Sequence, residues 1–226
     1  MAIFDNYNRI RSDVAAIAAR LGRNPEAIRI VAVCKTIGAA AVQEAIDSGI
    51  RLFGENMVQE AKRKIPNLRG DFIFHMIGHL QTNKARDAVG LFDCIHSIDK
   101  FSTAAKVDHE AGRIGKVQKI LIQVNASGER SKSGVPPESL TGLVMQTLDL
   151  KHLELCGLMT MAPFASDEQL VRESFKITRE LLEDINVRLN LSLFELSMGM
   201  SADYRIAVEE GSTMVRIGTA IFGERA

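Results

Sequence analysis

No charge of either sign dominates this sequence: 28 lysines and arginines balance 28 aspartates and glutamates. A protein whose main partner is nucleic acid displaces counterions with a basic surplus or stripe, and none is visible. Long apolar runs are also missing. No stretch approaches the roughly 20 residues that span a bilayer. Met1-Ala2-Ile3-Phe4-Asp5-Asn6 lacks the basic start and apolar core of a secretory signal. Cysteine is scarce: Cys34, Cys94 and Cys156 are odd in number, far apart, and form no C-x-x-C. Each lies in an apolar, strand-like run, which predicts buried free thiols in a reducing compartment. The expectation is a cytoplasmic protein with no membrane or nucleic-acid partner.

What is present is an ordinary globular balance, 46% hydrophobic and 25% charged over 226 residues. That length suits two small domains or one large barrel. Phe4, Ile10, Val14, Ile17, Ala18 and Leu21 recur at helical spacing, and Gly22 with Pro25 stops that first helix. The chain then repeats one unit: a short apolar run, a polar loop, a helical stretch. The runs fall near 30–34, 52–54, 72–77, 94–98, 117–124, 153–159, 193–196 and 214–217. Helical segments include 39–48, 56–64, 101–112, 137–147 and 167–189, the last opened by a capping box of Ser166 and Gln169. Alternating strands and helices imply parallel pairing. Eight such units without a linker predict a closed (β/α)₈ TIM barrel carrying an extra N-terminal helix, one domain over 1–226, with an open doubly wound sheet as the rival.

Such a barrel keeps its reactive groups at the C-terminal ends of the strands. The first strand ends Val31-Ala32-Val33-Cys34-Lys35-Thr36. Alternation puts Val31, Val33 and Lys35 on one face. If that face is the interior, Lys35 stands at the mouth as an amine able to attack an aldehyde; otherwise it is a solvated lysine closing a strand. The seventh run leads into Leu196-Ser197-Met198-Gly199-Met200-Ser201-Ala202-Asp203, where Gly199 allows a tight turn and Ser201 is an N-cap candidate. The eighth ends Val215-Arg216-Ile217-Gly218-Thr219-Ala220. Loops after strands seven and eight commonly hold a phosphate in this fold, and Ser201, Gly218 and Thr219 are suited to that. An amine plus a phosphate cradle points to pyridoxal phosphate, which also needs a partner for its pyridine nitrogen. Arg216 shares the inward face and cannot accept a proton; alternatively it pairs with Glu55 or Asp203. Asn56 is a partner for the ring hydroxyl or a helix N-cap. His75 and His79 stand four apart but without H-E-x-x-H or a nearby carboxylate, so no metal is expected. The polar loop 125–134 is a flap over the mouth or an ordinary solvated loop.

These same stretches, with Phe53-Gly54-Glu55-Asn56 and the segment 75–84, resemble the pyridoxal-phosphate homeostasis protein family, single-domain relatives of the alanine racemase N-terminal barrel. The resemblance runs from Ile30 to Arg225. It implies a fold-type-III barrel, pyridoxal 5′-phosphate held as a Schiff base on Lys35, and a role in keeping the free cofactor at safe levels. Carried over by position, Ser201, Gly218 and Thr219 contact phosphate, Arg216 the pyridine nitrogen and Asn56 the ring. Cys34 stands where serine is common and should face away from the cofactor; Phe74 replaces a common tryptophan. A two-base racemase needs a second acid/base, usually a tyrosine on another domain. The only tyrosines here are Tyr7 and Tyr204, and the chain stops soon after its eighth run. A monomeric carrier without robust catalysis, supplying apo pyridoxal-phosphate enzymes, is therefore expected. A low-activity amino-acid racemase is the alternative, and a cofactor-free phosphosugar isomerase a third reading.

Overall fold

The structure, a computed structural model, describes residues 2–129, 132–163 and 167–223. Strands β1 (Arg29–Val33), β2 (Leu52–Glu55), β3 (Ile73–Met76), β4 (Cys94–Ile98), β5 (Gln118–Val124), β6 (Leu153–Thr160), β7 (Glu195–Met200) and β8 (Met214–Ile217) close into a barrel in chain order. All pairs are parallel, and β8 returns to β1 with Arg216 opposite Val31. Around it lie α1 (Ala2–Arg20), α2 (Ala39–Asp47), α3 (Val58–Lys64), α4 (Ala85–Leu91), α5 (Phe101–Arg113), α6 (Pro137–Leu148), α7 (Glu168–Leu189), α8 (Tyr204–Glu209) and α9 (Thr219–Phe222).

Alternation along β1 works as the sequence predicts. Val31 joins Cys94, Leu121, Met159 and Met214 in a cluster inside the barrel. Ile30, Ala32 and Cys34 pack outward into the apolar layer under the helices. The extra helix α1 straps across the last units. Asn6 Nδ2 donates to the Ile221 carbonyl at 3.1 Å, Tyr204 donates its hydroxyl to Asp13 at 2.5 Å, and Arg23 donates to the carbonyls of Val208 and Ser212.

Several local expectations need correction. The seventh strand is Glu195–Met200, not 193–196, so the Ser-Met-Gly-Met segment is strand rather than turn. Gly199 makes this possible. Its φ of +94° is left-handed, and a Cβ there would sit 2.5 Å from the Ala207 Cβ and 3.0 Å from the Tyr204 Cα. The register with β8 shifts between Ser197 and Met200, a bulge that admits α8 closely. Gly199→Ala combines backbone strain with overpacking, and we expect it to cost about 2–4 kcal/mol in a urea titration. Ser166 lies outside the described residues; the N-cap of α7 is Asp167, whose carboxylate accepts from the Gln169 amide at 2.8 Å. Neither Asn56 nor Ser201 caps a helix. The caps are Met57 and Asp203, and Asp203 turns its carboxylate back onto the Met200 amide. Cys34 and Cys94 are buried free thiols, whereas Cys156 is half-buried because the first half of β6 is open to solvent.

Candidate functional site

At the C-terminal ends of the strands a cavity of about 430 Å³ is lined by Lys35, Asn56, Ser201, Arg216, Gly218 and Thr219, with Val33, Ile77, Met161 and Met200 as apolar wall. All six residues singled out in the sequence therefore meet in one place. A larger cavity of about 560 Å³ opens at the other end, where Arg29, His75, Cys94 and Glu195 line it. In this fold that end serves stability and the strand C-termini serve chemistry, so the smaller cavity is the candidate.

Lys35 lies two residues past the end of β1, and the backbone around it is held from behind. Thr36 adopts a left-handed φ of 64°, unusual for a β-branched residue. Its amide donates to Glu60 at 2.8 Å and its hydroxyl to the Lys35 carbonyl at 2.6 Å. Lys64 donates to the Cys34 carbonyl at 2.6 Å and pairs with Glu55. The side chains of Lys64 and Glu55 are 7% and 0% exposed. Glu55 in turn accepts the Asn56 amide at 3.0 Å. One buried ion pair thus fixes the backbone beside Lys35 and at Asn56. Burial raises the Glu55 carboxyl pKa above its ordinary value, against the opposing pull of Lys64. The sequence reading missed this pair and offered Glu55 to Arg216 instead. Lys64 lies one crossover later, on α3, and only the fold brings it under β2. The Cys34 thiol faces this layer, donating to the Gly54 carbonyl at 3.4 Å, and burial drives its pKa up. It is shielded from the cavity, as the resemblance implied.

Two site atoms lack partners. The Lys35 amine makes no hydrogen bond or ion pair with any described residue. Asn56 Oδ1 is sealed from solvent without a donor, and the Asn56 backbone is packed so closely that a Cβ on Gly78 would lie 2.2 Å from its carbonyl oxygen.

Arg216 pairs with neither Glu55 nor Asp203. It is 4% exposed and donates to the Ser197 carbonyl and hydroxyl at 2.6 and 2.8 Å and to the Thr160 carbonyl at 2.8 Å. Burial pulls its pKa down to about 10, partly offset by Asp203, so it stays a cation at neutral pH. A guanidinium has five N–H groups, and these contacts leave two of them for the cavity. Ser201 Oγ accepts the Gly218 amide at 3.3 Å and ties the β7 and β8 loops together. Thr219 and Ala220 open a helical turn, so their amides have no intrahelical acceptor.

The histidines sort differently from their spacing. His79 is half-exposed, with Nδ1 3.6 Å from Asp99. His75 is buried and meets His96 of β4, with His75 Nδ1 2.9 Å from His96 Nε2. His75, Cys94 and His96 hold their donor atoms within 4.8 Å of one another. The sequence reading missed this cluster because His96 sits in a run legible only as an apolar strand. In loop 125–134, residues 130 and 131 lie outside the described residues. The rest is bound to β5 through Asn125 N to Val135 O (3.0 Å) and Gln123 Nε2 to Ser133 O (2.9 Å), and none of it lines the cavity.

Comparison with known proteins adds to the geometry. The family described as alanine racemase, N-terminal domain, matches residues 6–226. A pyridoxal phosphate homeostasis protein of Aquifex aeolicus is 38% identical over 222 residues, 98% of this chain and 97% of its own. PipY of Synechococcus elongatus, in a structure with PLP bound, is 38% identical with a TM-score of 0.84, covering 93% of this chain and 100% of that one. Alanine racemase of Clostridium difficile shares the fold alone, at 16% identity and TM-score 0.79, over 99% of this chain and 57% of its own.

Proposed function

The chain belongs to the pyridoxal phosphate homeostasis protein family, and on that premise we propose that it binds pyridoxal 5′-phosphate in the mouth cavity as a Schiff base on Lys35, holding and delivering the cofactor rather than turning over amino acids. The observation that carries this reading is the sharing of one cavity by an unpaired amine and the Ser201–Gly218–Thr219 loops. Bound there, pyridoxal phosphate supplies an aldehyde that condenses reversibly with a primary amine.

The residues present fit it. A cavity of about 430 Å³ is within the usual range for small ligands. The Ser201 hydroxyl and the amides of Thr219 and Ala220 offer donors to phosphate oxygens. Asn56 Oδ1, which has no donor of its own, accepts from the ring hydroxyl. Arg216 presents N–H groups to the pyridine nitrogen and has no proton to lose near neutral pH, so that nitrogen stays unprotonated and the ring is a weak electron sink. Among the described residues no tyrosine lines the cavity, and the Tyr204 hydroxyl is committed to Asp13. This supports a carrier over a two-base racemase. Reversible attachment in an open mouth supports the reading of delivery to apo enzymes.

Mixing the protein with pyridoxal phosphate, reducing with borohydride and mapping the modified peptide tests the reading. The label is expected on Lys35, and Lys35→Ala should lose both the label and the imine absorbance. A label on another lysine, undiminished in Lys35→Ala, defeats the assignment.

A further inference from the structure

A file of buried polar groups crosses the barrel from Arg216 to the opposite end. Arg216 Nη1 donates to Ser197 Oγ at 2.8 Å. Ser197 Oγ lies 2.9 Å from His96 Nδ1, and His96 Nε2 lies 2.9 Å from His75 Nδ1. Ser197 and His96 are fully buried, and His75 reaches the cavity at the N-terminal end of the strands.

Proton counting fixes the direction of these bonds. A guanidinium only donates, and a serine hydroxyl has one proton. If Ser197 gives that proton to His96 Nδ1, His96 carries its own on Nε2 and donates to His75 Nδ1. His75 then bears its proton on Nε2. Every contact has one donor and one acceptor. In the reverse order Ser197 Oγ receives two donors, and its own proton finds no acceptor among the described residues inside a sealed site, a cost of about 1–3 kcal/mol. Both rings stay neutral. Burial lowers the His75 pKa to about 3, helped by Arg29 and Lys119; burial, then His75, Arg216 and Arg29, hold His96 well below its usual range.

We propose that His96 and His75 are positioning residues: as paired Nε2–H tautomers they hold the Ser197 hydroxyl, and through it the Arg216 guanidinium, at the floor of the mouth cavity. The column assigns a use to both inward nitrogens of the His75–Cys94–His96 cluster, since each is occupied by a hydrogen bond and none offers a lone pair to a metal. The link to the cofactor rests on the function proposed above; the tautomers do not.

Histidine ¹⁵N NMR on the cofactor-free protein reads the tautomers directly. Both rings should be neutral Nε2–H from pH 8 to pH 5, unchanged by added Zn²⁺, and Ser197→Ala should disturb His96. An Nδ1–H ring in the parent protein, or stoichiometric Zn²⁺ ligation by these rings, overturns the proposal. His96→Gln offers an amide donor and acceptor on a flexible arm, which does not hold both the Ser197 and the His75 contacts where the rigid ring does. It should weaken pyridoxal phosphate binding on the order of tenfold and change the pH dependence of the bound cofactor's absorbance. Inorganic phosphate, held by the loops, should bind His96→Gln as before. Equal weakening of both ligands, or of neither, counts against a positioning role. A protein that shows the expected tautomers yet never takes up pyridoxal phosphate leaves the column standing and removes the function instead.

Discussion

Replacing Lys64 with methionine destabilises the fold by about 3–5 kcal/mol, the range for removing one member of a buried ion pair. The variant leaves the Glu55 carboxylate, fully buried, facing a thioether. It also removes the donor to the Cys34 carbonyl. A typical protein's whole margin is about 5–15 kcal/mol, so urea midpoints should fall steeply. Adding Glu55→Gln should recover much of the loss, because the stranded charge is the main cost. The effect also depends on pH in a definite sense. Without Lys64 the folded-state pKa of Glu55 rises further, so the penalty is small below the unfolded value of 4.5 and grows as pH rises above it. Surviving Lys64→Met protein should bind pyridoxal phosphate more weakly, since the backbone at both Lys35 and Asn56 has lost its anchor. A stability loss below about 1 kcal/mol at pH 7 would show that the pair is not energetically coupled to the fold.

Acid is the second large effect. His75 and His96 are buried neutral, with folded-state pKa values depressed from 6.5, to about 3 in the case of His75. Below pH 6.5 the unfolded chain binds protons that the folded barrel refuses, so stability falls as pH falls. Each ring contributes up to about 1.4 kcal/mol per pH unit. From pH 7.5 to pH 5 the two together should remove about 4 kcal/mol. Glu55 and Asp203, whose carboxyl pKa values are raised by burial, act in the opposite direction as pH falls through those raised values. The histidine contribution is isolated by comparing the parent with His96→Gln at each pH. Urea midpoints at several pH values measure it, and His96→Gln should reduce the slope by about half. A flat profile from pH 7 to pH 5 would mean that the histidines gain protons without unfolding.

Much of the mouth was legible because its residues obey local rules. Lys35 follows from alternation along β1, and Arg216, Gly218 and Thr219 follow from the same rule on β8 together with the fold's habit of holding phosphate after strands seven and eight. What supports them was not legible. Lys64 reaches Glu55 only after α3 folds back under β2, and His96 meets Ser197 across the barrel between strands that are not neighbours. Periodicity reports which side a residue faces, never which distant residue it faces there. Gly199 differs for another reason. The sequence suits it to a tight turn, whereas it keeps β7 going past a close helix.

The pairing of β8 with β1 carries a consequence for assembly of the mouth. Lys35 lies just past β1, but its opposite wall at Gly218 and Thr219 follows β8, 183 residues further along (218 − 35 = 183). The entropy of closing so long a loop is recovered only when the ring closes. A fragment lacking β8 has Lys35 without Gly218 and Thr219 opposite it, so the mouth cavity exists only once the ring has closed.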